Sequence, residues 1–123
     1  NHVTIVRRLD DLSQHMKHAK LSVSQCGYNT AMDTLTAQRE GSCRIVFVPF
    51  DTQGQTEQLK RAELLQRSGH AVTVPQSKLT IQSLEKSAKL ALASPIKNTI
   101  INFEGVANSA HLVHNWLSQR EAP

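Results

Sequence analysis

Apolar positions along the chain change their period several times, and each period predicts an element. The β-branched run Val3-Thr4-Ile5-Val6 predicts a strand, after which Arg7 to Asp11 leads into a helix with Leu12, Met16 and Ala19 on one face and Asp10 or Asp11 as its cap. Leu21 to Ser24 predicts a second short strand. It is followed by the turn Gln25-Cys26-Gly27-Tyr28 and a helix, capped by Asn29, that carries Met32 and Leu35 inward. Cys43 to Phe50, closed by Pro49, is the most apolar stretch and has the pattern of a central strand buried on both faces of a parallel sheet. A polar turn from Asp51 to Gly54 precedes a helix from Gln55 to Ser68, with Leu59, Ala62 and Leu65 on its core face and Gly69 as its stop. Ala71 to Val74 predicts a fourth strand. Thr80 caps a helix running to Ala93, with Leu79 and Leu84 at staple spacing and Pro95 beyond its end. Ile96 to Phe103 fits either a strand or an extended linker, and Asn108 to Gln119 predicts a last helix bearing Leu112, Val113, Trp116 and Leu117.

Strands alternating with helices imply right-handed crossovers and an α/β, Rossmann-like three-layer domain with a parallel sheet covered on both faces. The 123 residues suit one domain, with no internal boundary or repeat. The start, Asn1-His2-Val3, has neither an initiator Met nor a signal-peptide pattern, so the chain is expected to be excised from something longer, with earlier strands and another domain preceding it. In such sheets ligands sit beyond the carboxyl ends of the strands. That rule nominates three polar loops: Arg7 to Asp11, Gln25 to Thr30, and Pro49 to Gln58.

Composition narrows this picture modestly. The formal net charge of +4 is scattered along helical segments without interleaved aromatics, so nucleic acid is not favoured; ordinary solubilising charge accounts for it first, and an anionic ligand or membrane face suits it equally well. No apolar run approaches the roughly 20 residues of a membrane span. Cys26 and Cys43 lack paired or metal-type spacing, which favours a reducing, cytoplasmic compartment. The pairs His15 with His18 and His111 with His114 have helical spacing, but no carboxylate or Cys completes a metal set.

The second loop offers the most chemistry. Gly27 precedes a helix start, where a missing Cβ lets a ligand approach backbone N–H groups and the helix dipole favours negative charge. Gln25 and Thr30 would add donors, making a phosphate site, although an ordinary glycine turn capped by Asn29 has the same pattern. Asp33, one turn further along, would accept from a ribose diol or stand simply solvated. Gln55, Glu57 and Gln58 put planar amides and a carboxylate beside another helix start, suited to sugar hydroxyls.

At these loops the sequence resembles the nucleotide-sugar-binding, C-terminal domain of MurG-like glycosyltransferases of the two-domain GT-B type, family 28. It also resembles the wider group whose plant members carry the box His-Cys-Gly-Trp-Asn-Ser. The corresponding string is Gln25-Cys26-Gly27-Tyr28-Asn29-Thr30. Leu9-Asp10-Asp11-Leu12, the Ser-x-x-Gly turn, Asp33, and Val48-Pro49-Phe50 followed by Gln55-x-x-Gln58 fall in the family's order at nearly its spacing. Departures are Gln25 for His, Tyr28 for Trp, Asp33 for Glu, Gly54 for an acidic residue, Lys20 for Asp, and a lengthened turn from Gln38 to Ser42.

The resemblance implies a transferase that moves a sugar, of the hexosyl class, from a nucleotide-sugar such as a UDP-sugar to an acceptor. The backbone near Leu9 would meet the uracil, and Gln25, Gly27, Asn29 and Thr30, with Tyr28 between them, the diphosphate. Asp33 would meet the ribose, and Gln55 with Glu57 or Gln58 the donor sugar. The family's catalytic base and acceptor site belong to the missing N-terminal domain, so this chain alone would bind donor without catalysing. No cofactor or metal is implied. Expected partners are the donor, that N-terminal domain and an acceptor that includes membrane-surface lipids, with the protein cytoplasmic or peripheral to the inner membrane face. Competing readings are a non-catalytic, vestigial RecA-like or receiver-like module, which lacks its lysine-bearing loop or acidic triad here, and charge-driven nucleic-acid binding.

Overall fold

A computed structural model describes residues 2–52, 54 and 56–96. In chain order these form α1 (Leu12–His18), β1 (Leu21–Ser24), α2 (Tyr28–Glu40), β2 (Arg44–Phe47), α3 (Glu57–Arg67), β3 (Val72–Thr73), a 3-10 turn (Gln76–Lys78) and α4 (Ile81–Ala93). The strands pair in parallel in the order β1-β2-β3, with Val23 opposite Val46 and Val46 opposite Val72. The three-layer α/β prediction therefore holds.

β2 shows why. Its side chains alternate with the pleat. Ile45 and Phe47 join Cys26, Ala31, Leu35, Ala62 and Leu65 in a core beneath α2 and α3. Val46 and Val48 join Val74 and Ala91 in a second core under α4. Burial on both faces accounts for an unbroken apolar run where a one-sided strand would alternate. α4 begins where the capping pattern placed it: the Thr80 hydroxyl accepts from the Ser83 N–H at 2.9 Å while the Ser83 hydroxyl accepts from the Thr80 N–H at 2.8 Å. Leu84 packs against the α4-side core, whereas Leu79 stays exposed.

Several expectations are corrected. Val3 to Val6 forms no strand; Val3 and Ile5 are 85% and 90% exposed. Their β-branched preference goes unused because no strand among the described residues pairs with them, and strand propensity is mostly a matter of such packing. Leu12 is exposed, leaving Met16 as the buried anchor of α1, and Asp11 occupies the cap position without a side-chain bond. The turn expected from Gln38 to Ser42 is shorter, since α2 continues to Glu40. There the buried Gln38 amide donates to the His70 carbonyl at 2.9 Å. The third and fourth predicted strands shrink to Arg44–Phe47 and Val72–Thr73. The predicted segments at Ile96 to Phe103 and Asn108 to Gln119 lie outside the described residues except for Ile96.

Candidate functional site

The carboxyl ends of the strands converge on one edge, and main-chain bonds knit their loops together. The Val48 N–H donates to the Ser24 carbonyl at 2.7 Å, that of Val74 to Phe47 at 2.9 Å and that of Gln76 to Pro49 at 3.0 Å. Asp51 adds a side-chain tie, accepting from the Ser77 hydroxyl at 2.5 Å and the Ser77 N–H at 2.9 Å. These two bonds from Ser77, the hydroxyl first, hold the Asp51 carboxyl below the usual carboxylate range.

From β1 the chain crosses Gln25 and Cys26 to Gly27, which is the N-cap of α2. The helix therefore starts at Tyr28, its cap two residues before the expected Asn29, and Asn29 is an exposed first-turn residue. No side chain caps this end. The first intrahelical bond is from the Ala31 N–H to the Gly27 carbonyl at 2.9 Å, so the N–H groups of Tyr28, Asn29 and Thr30 precede the helical ladder. Gly27 has φ −64° and ψ 156°, backbone that any residue adopts, and a Cβ built on it would meet nothing within 4 Å. Neither conformation nor packing asks for glycine at this position.

Of the other predicted residues, Gln25 and Asp33 are exposed and Thr30 is half-buried, its carbonyl accepting from the Thr34 hydroxyl at 2.5 Å. Thr30 and Asp33 are three apart and share a face of α2. Leu9 lies on the segment before α1, 37% exposed, and no hydrogen bond among the described residues ties it to the Gly27 turn. Gln55 falls outside the described residues. Glu57 opens α3 and is exposed. Gln58 has a structural task that its sequence context did not disclose: its Oε1 accepts the Phe50 N–H at 3.0 Å, holding the loop after β2.

Sequence reasoning passed over Arg61. Its Nη1 donates to the Cys26 carbonyl at 2.6 Å, its Nη2 pairs with Glu57 at 2.9 Å, and its Cζ lies 5.9 Å from the centre of the Tyr28 ring. The available signal was the four-residue spacing from Glu57, which is also the commonest surface helix pair. Ser24, the first residue of the Ser-x-x-Gly turn, holds a buried hydroxyl without a partner among the described residues.

Cys26 is fully buried beside this turn. Burial pushes its thiol up from 9.0 to about 11, and the nearby Arg61 guanidinium offsets only part of the rise. A folded value above the unfolded one gives stability that is fully present below about pH 9 and lost as the pH climbs through about 11. The thiolate is the reactive form, so a two-unit rise lowers its population about a hundredfold. Cys43 is also buried, with its thiol raised by burial. In native buffer at pH 8 both thiols should react with iodoacetamide far more slowly than in denaturant; fast native labelling of Cys26 would contradict the assignment.

A cavity of about 210 Å³ opens at the opposite, amino-terminal edge of the sheet, lined by Gln38, Arg44, His70, Val72, Leu90 and Ile96 among others. It lies away from the Gly27 turn. Beside that turn, among the described residues, a crevice of about 20 Å³ runs between α2 and α3, lined by Tyr28, Met32, Leu35, Arg61 and Leu64. The turn presents its donors at the surface. Among the described residues no group of three or more His, Cys, Asp or Glu side chains could hold a metal ion, and no helix is long and apolar enough to cross a membrane.

A three-stranded parallel sheet with helices on both faces and a glycine-led helix start at its carboxyl edge defines a Rossmann-like α/β class of domain. The family model of the glycosyltransferase family 28 C-terminal domain matches residues 1–109, and the chain belongs to that family. No curated protein matches the chain. The resemblance read from the loops is thus shown at family level, glycosyltransferase activity of the full-length protein follows from it, and sugar-donor binding is this domain's general share of the work.

Proposed function

We propose that this domain binds a UDP-sugar in the manner of MurG-like enzymes, with the diphosphate on the amino-terminal end of α2, for hexosyl transfer to an acceptor held by the N-terminal domain. The observation that carries the reading is Gly27. Its backbone is ordinary for any residue and a Cβ there meets nothing within 4 Å, so a ligand approaching from outside accounts for a glycine that the fold itself does not require. The N–H groups of Tyr28, Asn29 and Thr30, which precede the helical ladder, together with roughly half a positive charge from the helix dipole, suit a pyrophosphate that gains negative charge as it leaves.

Asp33, sharing a helix face with Thr30, is the residue for the ribose, and the backbone at Leu9 the one for the uracil. Gln25 and Thr30 supply side-chain donors to the phosphates. Gln55 with Glu57 or Gln58 serves the donor sugar, Gln58 through the amide nitrogen left over from its bond to Phe50. Leaving-group charge is met by these donors without a required metal or cofactor. The acceptor class we favour is a lipid or glycan at the cytoplasmic membrane face, in keeping with the mild basic excess and not with nucleic acid.

Calorimetric titration of the 123-residue chain with UDP and UDP-glucose tests this reading. A dissociation constant on the order of 1 mM or tighter is expected, since one domain supplies half a cleft. Heats indistinguishable from dilution with UDP, ADP and GDP alike would overturn it.

A further inference from the structure

Resting on that reading, we infer that Arg61 is a positioning residue that aims the diphosphate turn and locks it to the sugar-facing start of α3. Arg61 sits one helical turn beyond Glu57, with only 15% of its side chain exposed. Its guanidinium bonds two acceptors: the Cys26 carbonyl, in the turn after β1, and the Glu57 carboxylate, one turn earlier on α3 itself. A guanidinium is a rigid planar fork, so satisfying both acceptors fixes their relative placement. The Tyr28 ring beside its Cζ adds a third restraint on the turn.

The bond to Cys26 has a directional consequence. The Cys26–Gly27 peptide is trans and planar, so its N–H points opposite to its C=O. Drawing the Cys26 oxygen toward α3 turns the Gly27 N–H away from Arg61. That N–H has no partner among the described residues, and neither do those of Tyr28, Asn29 and Thr30. Arg61 thereby prepares a donor that it does not itself supply. Its positive charge goes to Glu57 and the carbonyl, which leaves the backbone as the phosphate-facing surface. Glu57, its side chain 83% exposed, pairs with the same guanidinium that bonds the turn. Phosphate and sugar contacts are thus expected to act as one unit rather than as independent loops.

A double-mutant cycle on the 123-residue chain tests this, using Arg61→Met, Glu57→Gln and their combination, with UDP and UDP-glucose as probes. Arg61→Met should weaken UDP about tenfold and abolish the UDP-induced shift of the Gly27 amide resonance. For UDP-glucose the double variant should lose no more than Arg61→Met alone, because Glu57 is already released. Arg61→Lys, which keeps the charge but not the fork, should fold normally and lose affinity in the same direction; this variant decides the matter if Arg61→Met fails to fold. Unchanged UDP affinity in the lysine and methionine variants, or losses for UDP-glucose that simply multiply, would overturn the positioning role while leaving donor binding intact. Failure of the unmodified chain to bind either probe would instead remove the functional reading and this inference with it.

Discussion

Replacing Gly27 by valine is expected to weaken UDP binding tenfold or more, about 1.4 kcal/mol per factor of ten, while changing unfolding stability by no more than about 1 kcal/mol. The two halves of that expectation have separate sources. Stability should survive because φ −64° and ψ 156° are ordinary for valine and a Cβ there meets nothing within 4 Å. Affinity should not, because a branched side chain would stand at the end of α2 where the phosphates approach the Tyr28, Asn29 and Thr30 N–H groups. Denaturant unfolding and calorimetry on the same sample give both numbers. A large stability loss would show that the turn has a packing need for glycine, and unimpaired UDP binding would show that the diphosphate lies elsewhere.

Gly41 should behave in the opposite way. It follows the last residue of α2, and a Cβ added there would collide with the main-chain carbonyl oxygen of Lys17 and lie 3.1 Å from that of Ala37. Both obstacles are backbone and cannot swing aside. Gly41→Ala must therefore push α1 away from α2, undoing the Met16 contact with Thr34 and the Lys17–Glu40 pair at 3.6 Å. Overpacking of this kind costs about 1–3 kcal/mol. A loss of about 2 kcal/mol is expected in denaturant unfolding, with UDP affinity of the folded fraction little changed because the Gly27 turn is at the other end of α2. A stability change within about 0.5 kcal/mol, the range of an ordinary surface substitution, would contradict the close packing of the two helices.

These two glycines also show what could be read from sequence and what could not. The turn at Gly27 was recognisable from its local context, a short strand before it and a helix after it. Gly41 was not singled out. Its constraint comes from the carbonyl of Lys17, twenty-four residues earlier, and no local pattern encodes a contact at that separation. The elements themselves were legible where one periodicity dominated, as in β2, buried on two faces, and in α4, where Thr80 and Ser83 form a reciprocal cap. Val3 to Val6 had the composition of a strand without a neighbour to complete it. Propensity could not supply the missing ladder.

The candidate site divides along the same line. Gln25, Gly27, Asn29, Thr30 and Asp33 are contiguous or one helical turn apart, so a motif places them together whatever the rest of the fold does. Gln58 and Arg61 take their roles from partners eight and thirty-five residues away, Phe50 and Cys26. In the sequence they are two polar residues on an amphipathic helix. The helix cap moved from Asn29 to Gly27 for a local reason: the extended backbone at Gly27 already takes that position, leaving Asn29 exposed in the first turn.

The most direct test is an amide-resolved titration of the 123-residue chain with UDP by nuclear magnetic resonance. Shifts that saturate and centre on Gly27 to Asp33, with the amino-terminal edge around His70 unmoved, are the predicted result. Saturating shifts centred on the cavity at Arg44 and His70, or none at all at the α2 end, would contradict it.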